Sequence, residues 1–126
     1  LVGHTPTPID RFGRPQTEIK KTSLGASEYI SWEHGETVDR ILTRLQSDKV
    51  AVVAVEQTAE SVLLSDFIPP TDVAYVLGNE VEGVSRPVLQ MADTIVELPM
   101  LGTKESLNVS VTAGVVLYHD LIFSKT

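Results

Sequence analysis

The chain has 126 residues, 42% of them apolar, with no cysteine and a formal net charge of −7 at pH 7. That length suits one domain with a real core rather than two ordinary ones, and the absence of cysteine excludes disulfides, thiolate chemistry and zinc–thiolate sites. The acidic balance argues against a surface basic throughout, the kind that grips nucleic acid by counterion release.

No run of 18 apolar residues exists, so no membrane-spanning helix is predicted. Residues 1–8 lack the basic-then-apolar order of a secretory signal, and a reducing cytoplasm is the expected compartment. Leu1-Val2-Gly3 reads as the end of a buried strand. Thr5-Pro6-Thr7-Pro8, Gly13 and Pro15 disfavour both helix and central strand, which predicts a structureless loop of about twenty residues, a length often tied to function. Within it Arg11, Arg14, Lys20 and Lys21 share the twelve residues 10–21 with only two acids, Asp10 and Glu18. Such a cluster is either a solvated loop or a local RNA-facing patch.

Tyr29-Ile30-Ser31-Trp32 is predicted as a short strand. A helix follows over 35–46, with Val38, Ile41, Leu42 and Leu45 at helical spacing. Residues 49–55 are almost continuously apolar and β-branched, as in a strand buried on both faces of a parallel sheet. The pattern returns at 73–77 and, shorter, at 94–96. Between these two, 85–92 predicts a short helix with Pro87 in its first turn. The last helix is predicted over 107–123. Leu107, Val111, Val115, Leu117, Leu121 and Ile122 make it apolar nearly all round, so it is expected to be largely buried. Strands alternating with helices indicate an α/β domain with a mostly parallel sheet flanked by helices.

Familiar nucleotide fingerprints are missing: neither GxGxxG nor GxxxxGK[ST] occurs, and no serine sits in a GxSxG elbow. His4, His34 and His119 lack metal-ligand spacing and read as structural or surface residues, so no metal is expected. Two segments stand out instead. Leu77-Gly78-Asn79-Glu80-Val81-Glu82-Gly83 leaves a predicted buried strand, where ligand crevices form in parallel sheets. Gly78 permits close backbone approach and Gly83 a tight turn, while Asn79 and Glu80 put an amide and a carboxylate at the rim. A plain turn explains the same residue types.

The second segment runs from Glu97 to Val111 and again joins a strand to a helix. Ser106, Asn108 and Ser110 place three polar side chains in five positions before an apolar helix. Capping by Ser106 or Asn108 accounts for one of them and leaves two to be explained.

The strings LGNEVEGVS at 77–85 and ELPMLGTKESLNVSVTAG at 97–114 resemble the second and third motifs of the SpoU (TrmH-like) family in the SPOUT superfamily of RNA methyltransferases. The similarity extends more loosely to GHTPTP and KTSLGAS near the start. The resemblance implies an α/β fold with a C-terminal trefoil knot, a homodimer with composite sites, and transfer of a methyl group from S-adenosylmethionine to a ribose 2′-hydroxyl of tRNA or rRNA. By motif position Gly78, Leu98 and Leu107 would hold the cofactor, with Asn79, Gly83, Met100 and the strand-end Glu56 beside them. Glu80, Ser106 and Asn108 fall where the family keeps catalytic polar residues, and Arg11, Arg14, Lys20 and Lys21 would face RNA. The family's upstream first motif, with its arginine and asparagine, has no counterpart here. The resemblance thus implies one methyltransferase domain over 1–126 lacking that motif. A non-catalytic knotted adaptor for RNA or protein is the alternative class, and base methylation fits the Ser106-Leu107-Asn108 pattern less well.

Overall fold

The structure is a computed structural model describing residues 1–103 and 106–124. They form two compact units, Leu1–Ile41 and Leu42–Thr126.

In the first unit, α1 spans Thr17–Thr22 and a 3₁₀ turn spans Ala26–Glu28. The predicted twenty-residue structureless loop is therefore interrupted by helix. A tight hairpin precedes α1, closed by a bridge between Ile9 and Pro15. Asp10 organises it: Oδ1 accepts from Phe12 N–H at 2.8 Å and from Arg14 N–H at 3.0 Å. Leu1 is 44% exposed and Val2 makes a single parallel bridge to Gly35, so these residues are not the end of a buried strand. The strand predicted at 29–32 is absent as well. Tyr29 ends the 3₁₀ turn, and Tyr29 and Ile30 are 87% and 66% exposed. Aromatic and β-branched residues make a strand only where a partner strand and a buried face receive them.

Helix α2, Val38–Ser47, starts a little later than predicted and buries Leu42. It ends in a left-handed cap: Lys49 has φ 62°, its N–H donates to Gln46 O, and Val50 N–H donates to Leu45 O. That cap moves the start of the next strand from the predicted residue 49 to Ala51.

The second unit holds a four-stranded parallel sheet of β1 (Ala51–Val55), β2 (Val62–Leu63), β3 (Val73–Leu77) and β4 (Thr94–Glu97), in the order β2-β4-β1-β3. Central β1 carries the most buried run, Val52, Val53, Ala54 and Val55, because both of its faces are covered. Val53 and Val55 point to the side where Val96, Leu64 and Val116 complete a core cluster. Val52 and Ala54 point to the opposite face. Helix α3, Arg86–Met91, carries Pro87 in its first turn and packs beside β1. Asp93 registers the start of β4 against β1: its Oδ2 accepts from Val52 N–H at 2.7 Å while its own N–H donates to Val52 O at 2.8 Å.

Helix α4 spans Val109–Ser124, so Leu107 precedes it. Its predicted burial is corrected. Val116 is fully buried, but Val111, Val115, Leu117, Tyr118 and Ile122 are 41–65% exposed. One stripe of the helix, marked by Val116, packs on the sheet, and these five residues lie outside it. Among the described residues no helix is long and apolar enough to cross a membrane.

Candidate functional site

β1, β3 and β4 are parallel, so their carboxyl ends open on one edge. Three segments leave there: 56–58 after β1, 78–84 after β3, and 98–100 after β4. Together with residues around the start of α4 they enclose a cavity of about 500 Å³, within the ordinary range for small-molecule sites. Every residue proposed for cofactor contact lines it: Glu56, Gly78, Asn79, Gly83, Leu98, Met100 and Leu107. Glu80 and Ser106 line it too.

The segment after β3 is a closed loop with its own internal bonding. Asn79 O accepts from Gly83 N–H at 3.0 Å, and Asn79 Oδ1 accepts from Val81 N–H at 2.9 Å and Glu82 N–H at 2.8 Å. Asn79 therefore spends its side-chain oxygen on the turn, as such residues commonly do. Gly83 sits at φ +68°, the left-handed region that favours glycine. Gly78 is required for a different reason: a β-carbon there would collide with the backbone of Gly83 and Val84.

Helix α4 begins with a side-chain cap. Asn108 O accepts Thr112 N–H at 2.9 Å, while Asn108 Oδ1 accepts from Ser110 N–H at 3.2 Å and from Ser110 Oγ–H at 3.1 Å. Capping thus accounts for two of the three polar residues that stood out in the sequence, Asn108 and Ser110. Ser106 is exposed and lines the cavity. Asn108 stands next to the lining without belonging to it.

Four carboxylates line the cavity: Glu56, Glu80, Glu82 and Glu97. No Lys, Arg or His is among the lining residues described. Glu97 opens the second stand-out segment but was not among the expected site residues, although its place at a strand end was the available signal. Its Oε2 accepts from Ser61 Oγ, whose oxygen also accepts from Thr58 N–H at 3.1 Å, tying the segment after β1 to β4. Apolar walls come from Leu77, Leu89, Leu98, Met100 and Leu107. Among the described residues, no group of three or more His, Asp or Glu is placed to hold a metal ion. None of the histidines reaches the cavity: His34 Nε2 donates to Gly3 O at 2.8 Å, and His119 stacks on Phe123 with ring centroids 4.5 Å apart.

The four basic residues of the sequence cluster all lie in the first unit, and they are not equivalent. Arg14 pairs with Asp10 at 2.9 Å, and Lys20 with Glu28 at 2.7 Å. Donation from Arg14 N–H holds the Asp10 carboxyl below the usual carboxylate range, with Phe12 N–H and the Arg14 guanidinium adding to it. The guanidiniums of Arg11 and Arg14 lie 4.7 and 5.0 Å from the ring centre of Phe12, which is 66% exposed.

Comparison with known proteins adds an independent line. Residues 8–118 match the sequence model of the SpoU rRNA Methylase family. This chain belongs to that family. A SpoU relative from Ralstonia nicotianae, named 23S rRNA (guanosine-2′-O-)-methyltransferase RlmB, is 38% identical over 112 residues, 88% of this chain and 44% of the relative. A tRNA (guanosine(18)-2′-O)-methyltransferase from Borreliella burgdorferi is 32% identical over 100 residues, 79% of this chain and 46% of that protein. Among solved structures, the A. aeolicus TrmH/SpoU tRNA modifying enzyme superposes with a TM-score of 0.78 at 27% identity, over 84% of this chain and 54% of that one. An AdoMet-bound rRNA methyltransferase from Sinorhizobium meliloti gives 0.77 at 28% identity, over 95% and 43%. The SpoU chain described here spans about half the length of the curated relatives it matches.

Proposed function

We propose that the chain is the cofactor-binding part of an S-adenosylmethionine-dependent methyltransferase that modifies a ribose 2′-hydroxyl of tRNA or rRNA. The observation that carries this reading is the cavity at the carboxyl edge of the sheet, where both motif segments of the SpoU family meet. The names of the relatives, rRNA and tRNA 2′-O-methyltransferases, support the reaction class.

The residues present suit the cofactor. Gly78 and Gly83 leave backbone where side chains would intrude, the leucines and Met100 offer apolar walls for adenine and thioether carbons, and the carboxylates complement a cationic sulfur. When bound, the cofactor supplies an electrophilic methyl group on that sulfur. The chain's own residues then have to place and deprotonate the hydroxyl. Positioning supplies much of such a rate, and a general base adds about 10²–10⁴-fold. Glu80 is exposed at the rim and is assigned the proton-accepting role, with Ser106 and Asn108 aligning the sugar. Because Asn108 Oδ1 is used in the helix cap, its contact with substrate falls to Nδ2.

The same reading takes residues 1–126 as one methyltransferase domain of cytoplasmic location, threaded as the family's trefoil knot and paired as a homodimer. Arg11, Arg14, Lys20 and Lys21 are its RNA-facing side chains. Calorimetric titration of the purified chain with S-adenosylmethionine tests the core of the proposal. Saturable binding that Gly78→Val abolishes is the expected result. A folded protein that binds none would transfer the assignment to a non-catalytic adaptor.

A further inference from the structure

Three backbone segments reach the cavity from different strands, and one residue, Glu56, ties the first to the loop of the second through its side chain and to the strand of the third through its backbone. Glu56 is the residue immediately beyond β1. Its N–H donates to Val96 O of β4 at 3.0 Å, extending the ladder to the cavity edge. Its carboxylate turns toward the loop after β3: Oε2 accepts from Val84 N–H at 2.9 Å, in a partly buried bond that links residues 28 apart. Oε1 accepts from Gln57 N–H at 3.0 Å. Both carboxylate oxygens are therefore engaged by backbone donors. An ionised carboxylate can only accept, so it matches two N–H groups with no donor conflict, and such charge-assisted bonds are stronger than neutral ones.

The loop is shaped around that carboxylate. A β-carbon at Gly83 would strike Glu56 Oε2, and Gly78 is pressed against the backbone of Gly83 and Val84 from the other side. The Val84 side chain anchors the far end of the loop in the core at 7% exposure. Moving Glu56 would release the loop from β1 while leaving its internal Asn79 turn intact. A glutamine has the same size but offers one acceptor and one NH₂ group. One of the two backbone N–H groups would then face another donor, and its hydrogen bond would be missing.

We infer that Glu56 is a positioning residue, whose carboxylate shapes the cofactor cavity by clamping loop 78–84 to the end of β1 instead of touching the ligand. This rests on the S-adenosylmethionine reading above. A direct electrostatic contact with the sulfonium is the competing role for the same carboxylate, and the two make different demands. A clamp matters equally to any ligand of the same shape. A charge contact matters only to a cationic one.

The test titrates the full chain and Glu56→Gln with two ligands, S-adenosylmethionine and its uncharged-sulfur counterpart S-adenosylhomocysteine, and follows amide exchange at Val84. Both affinities are expected to fall by the same factor, about tenfold for one charge-assisted bond, with faster exchange at Val84. Loss confined to S-adenosylmethionine overturns the clamp in favour of direct contact. Unchanged affinities for both overturn it outright. Wild-type protein that binds neither ligand removes the cofactor reading, and with it this one. If Glu56→Gln does not fold, Gly83→Ala disturbs the same bond with Glu56 kept. That variant is expected to weaken both ligands equally, and full affinity in it overturns the clamp.

Discussion

Glu56 Oε2 stands where a β-carbon on Gly83 would have to go, and the same oxygen accepts the Val84 N–H at 2.9 Å. Two separate penalties therefore meet in Gly83→Ala. One is backbone strain at φ +68°, about 1–2 kcal/mol for a residue with a β-carbon. The other is the collision, which exists only while Glu56 is present. Glu56→Ala removes the collision and leaves the strain. The double variant is expected to be more stable than the two single losses would sum to, with a coupling of about 0.5–3 kcal/mol. Denaturant titration of the four proteins measures it. Additive losses would show that the carboxylate and the glycine do not share this space.

Tyr75 on β3 donates from its hydroxyl to Asp120 Oδ1 on α4 at 3.3 Å. Burial first, and then the neighbouring Asp120 charge and the hydrogen bond to it, push the phenol up from 10.0 to about 12. The folded state thus holds the proton more tightly than the unfolded chain. The stability gained is fully present below pH 10, declines between pH 10 and about 12, and is gone above. Tyr75→Phe is expected to flatten that alkaline decline. Denaturation midpoints measured from pH 8 upward, with tyrosinate absorbance of both proteins, check it. An equally steep decline in the variant would assign the alkaline loss to other groups.

Much of the sheet was legible because burial leaves its mark on composition. Residues 73–77 form β3 as predicted, and the apolar run after Lys49 forms β1 once the left-handed cap at Lys49 is allowed for. Pro87 marked the first turn of α3. What failed did so for local reasons. β2 is a two-residue, exposed strand, Val62–Leu63, too short to show any period. Tyr29 and Ile30 have strand-like side chains but no sheet to join. In the cavity, the glycines and acids of 77–83 were visible as a strand-end cluster, whereas the Glu56–Val84 bond joins residues with no sequence relationship. Asn108 was noticed for the right property, its polarity before an apolar helix. Its partner Ser110 stood out by the same polarity, but the bonds that make the two a cap appear only in the fold.

The basic cluster of the first unit separates into two pairs. Arg14 and Lys20 are each engaged by a carboxylate, Asp10 and Glu28, and Arg11 and Lys21 form no ion pair among the described residues. Exposed ion pairs are weak, about 0–1 kcal/mol, but each must yield before its cation can meet a phosphate. Arg11→Ala with Lys21→Ala is therefore expected to cost more RNA affinity than Arg14→Ala with Lys20→Ala. The first double variant should lower the slope of log affinity against log salt by about 0.7–0.9 for each phosphate it no longer neutralises. Filter binding at several salt concentrations measures both. Unaltered binding in the first variant would return the cluster to an ordinary solvated loop.

Helix α4 carries its apolar residues on more than one face, and among the described residues of the helix Val116 is the buried one. Val111, Val115, Tyr118 and Ile122 follow one another at spacings of three and four, so they share a face, and that face is 41–65% exposed. A large exposed apolar surface marks an interaction site more often than a solvated one, and the homodimer proposed above supplies a self-complementary partner. Val115 lies near the middle of the stripe. Val115→Glu would bury a charge in such an interface but meets water in an isolated chain, where it costs little. Sedimentation equilibrium is expected to show a dimer for the wild-type chain and a monomer for Val115→Glu, with the circular dichroism of the helices retained. A wild-type monomer at every concentration would remove the homodimer, and a dimeric Val115→Glu would move its interface off this face of α4.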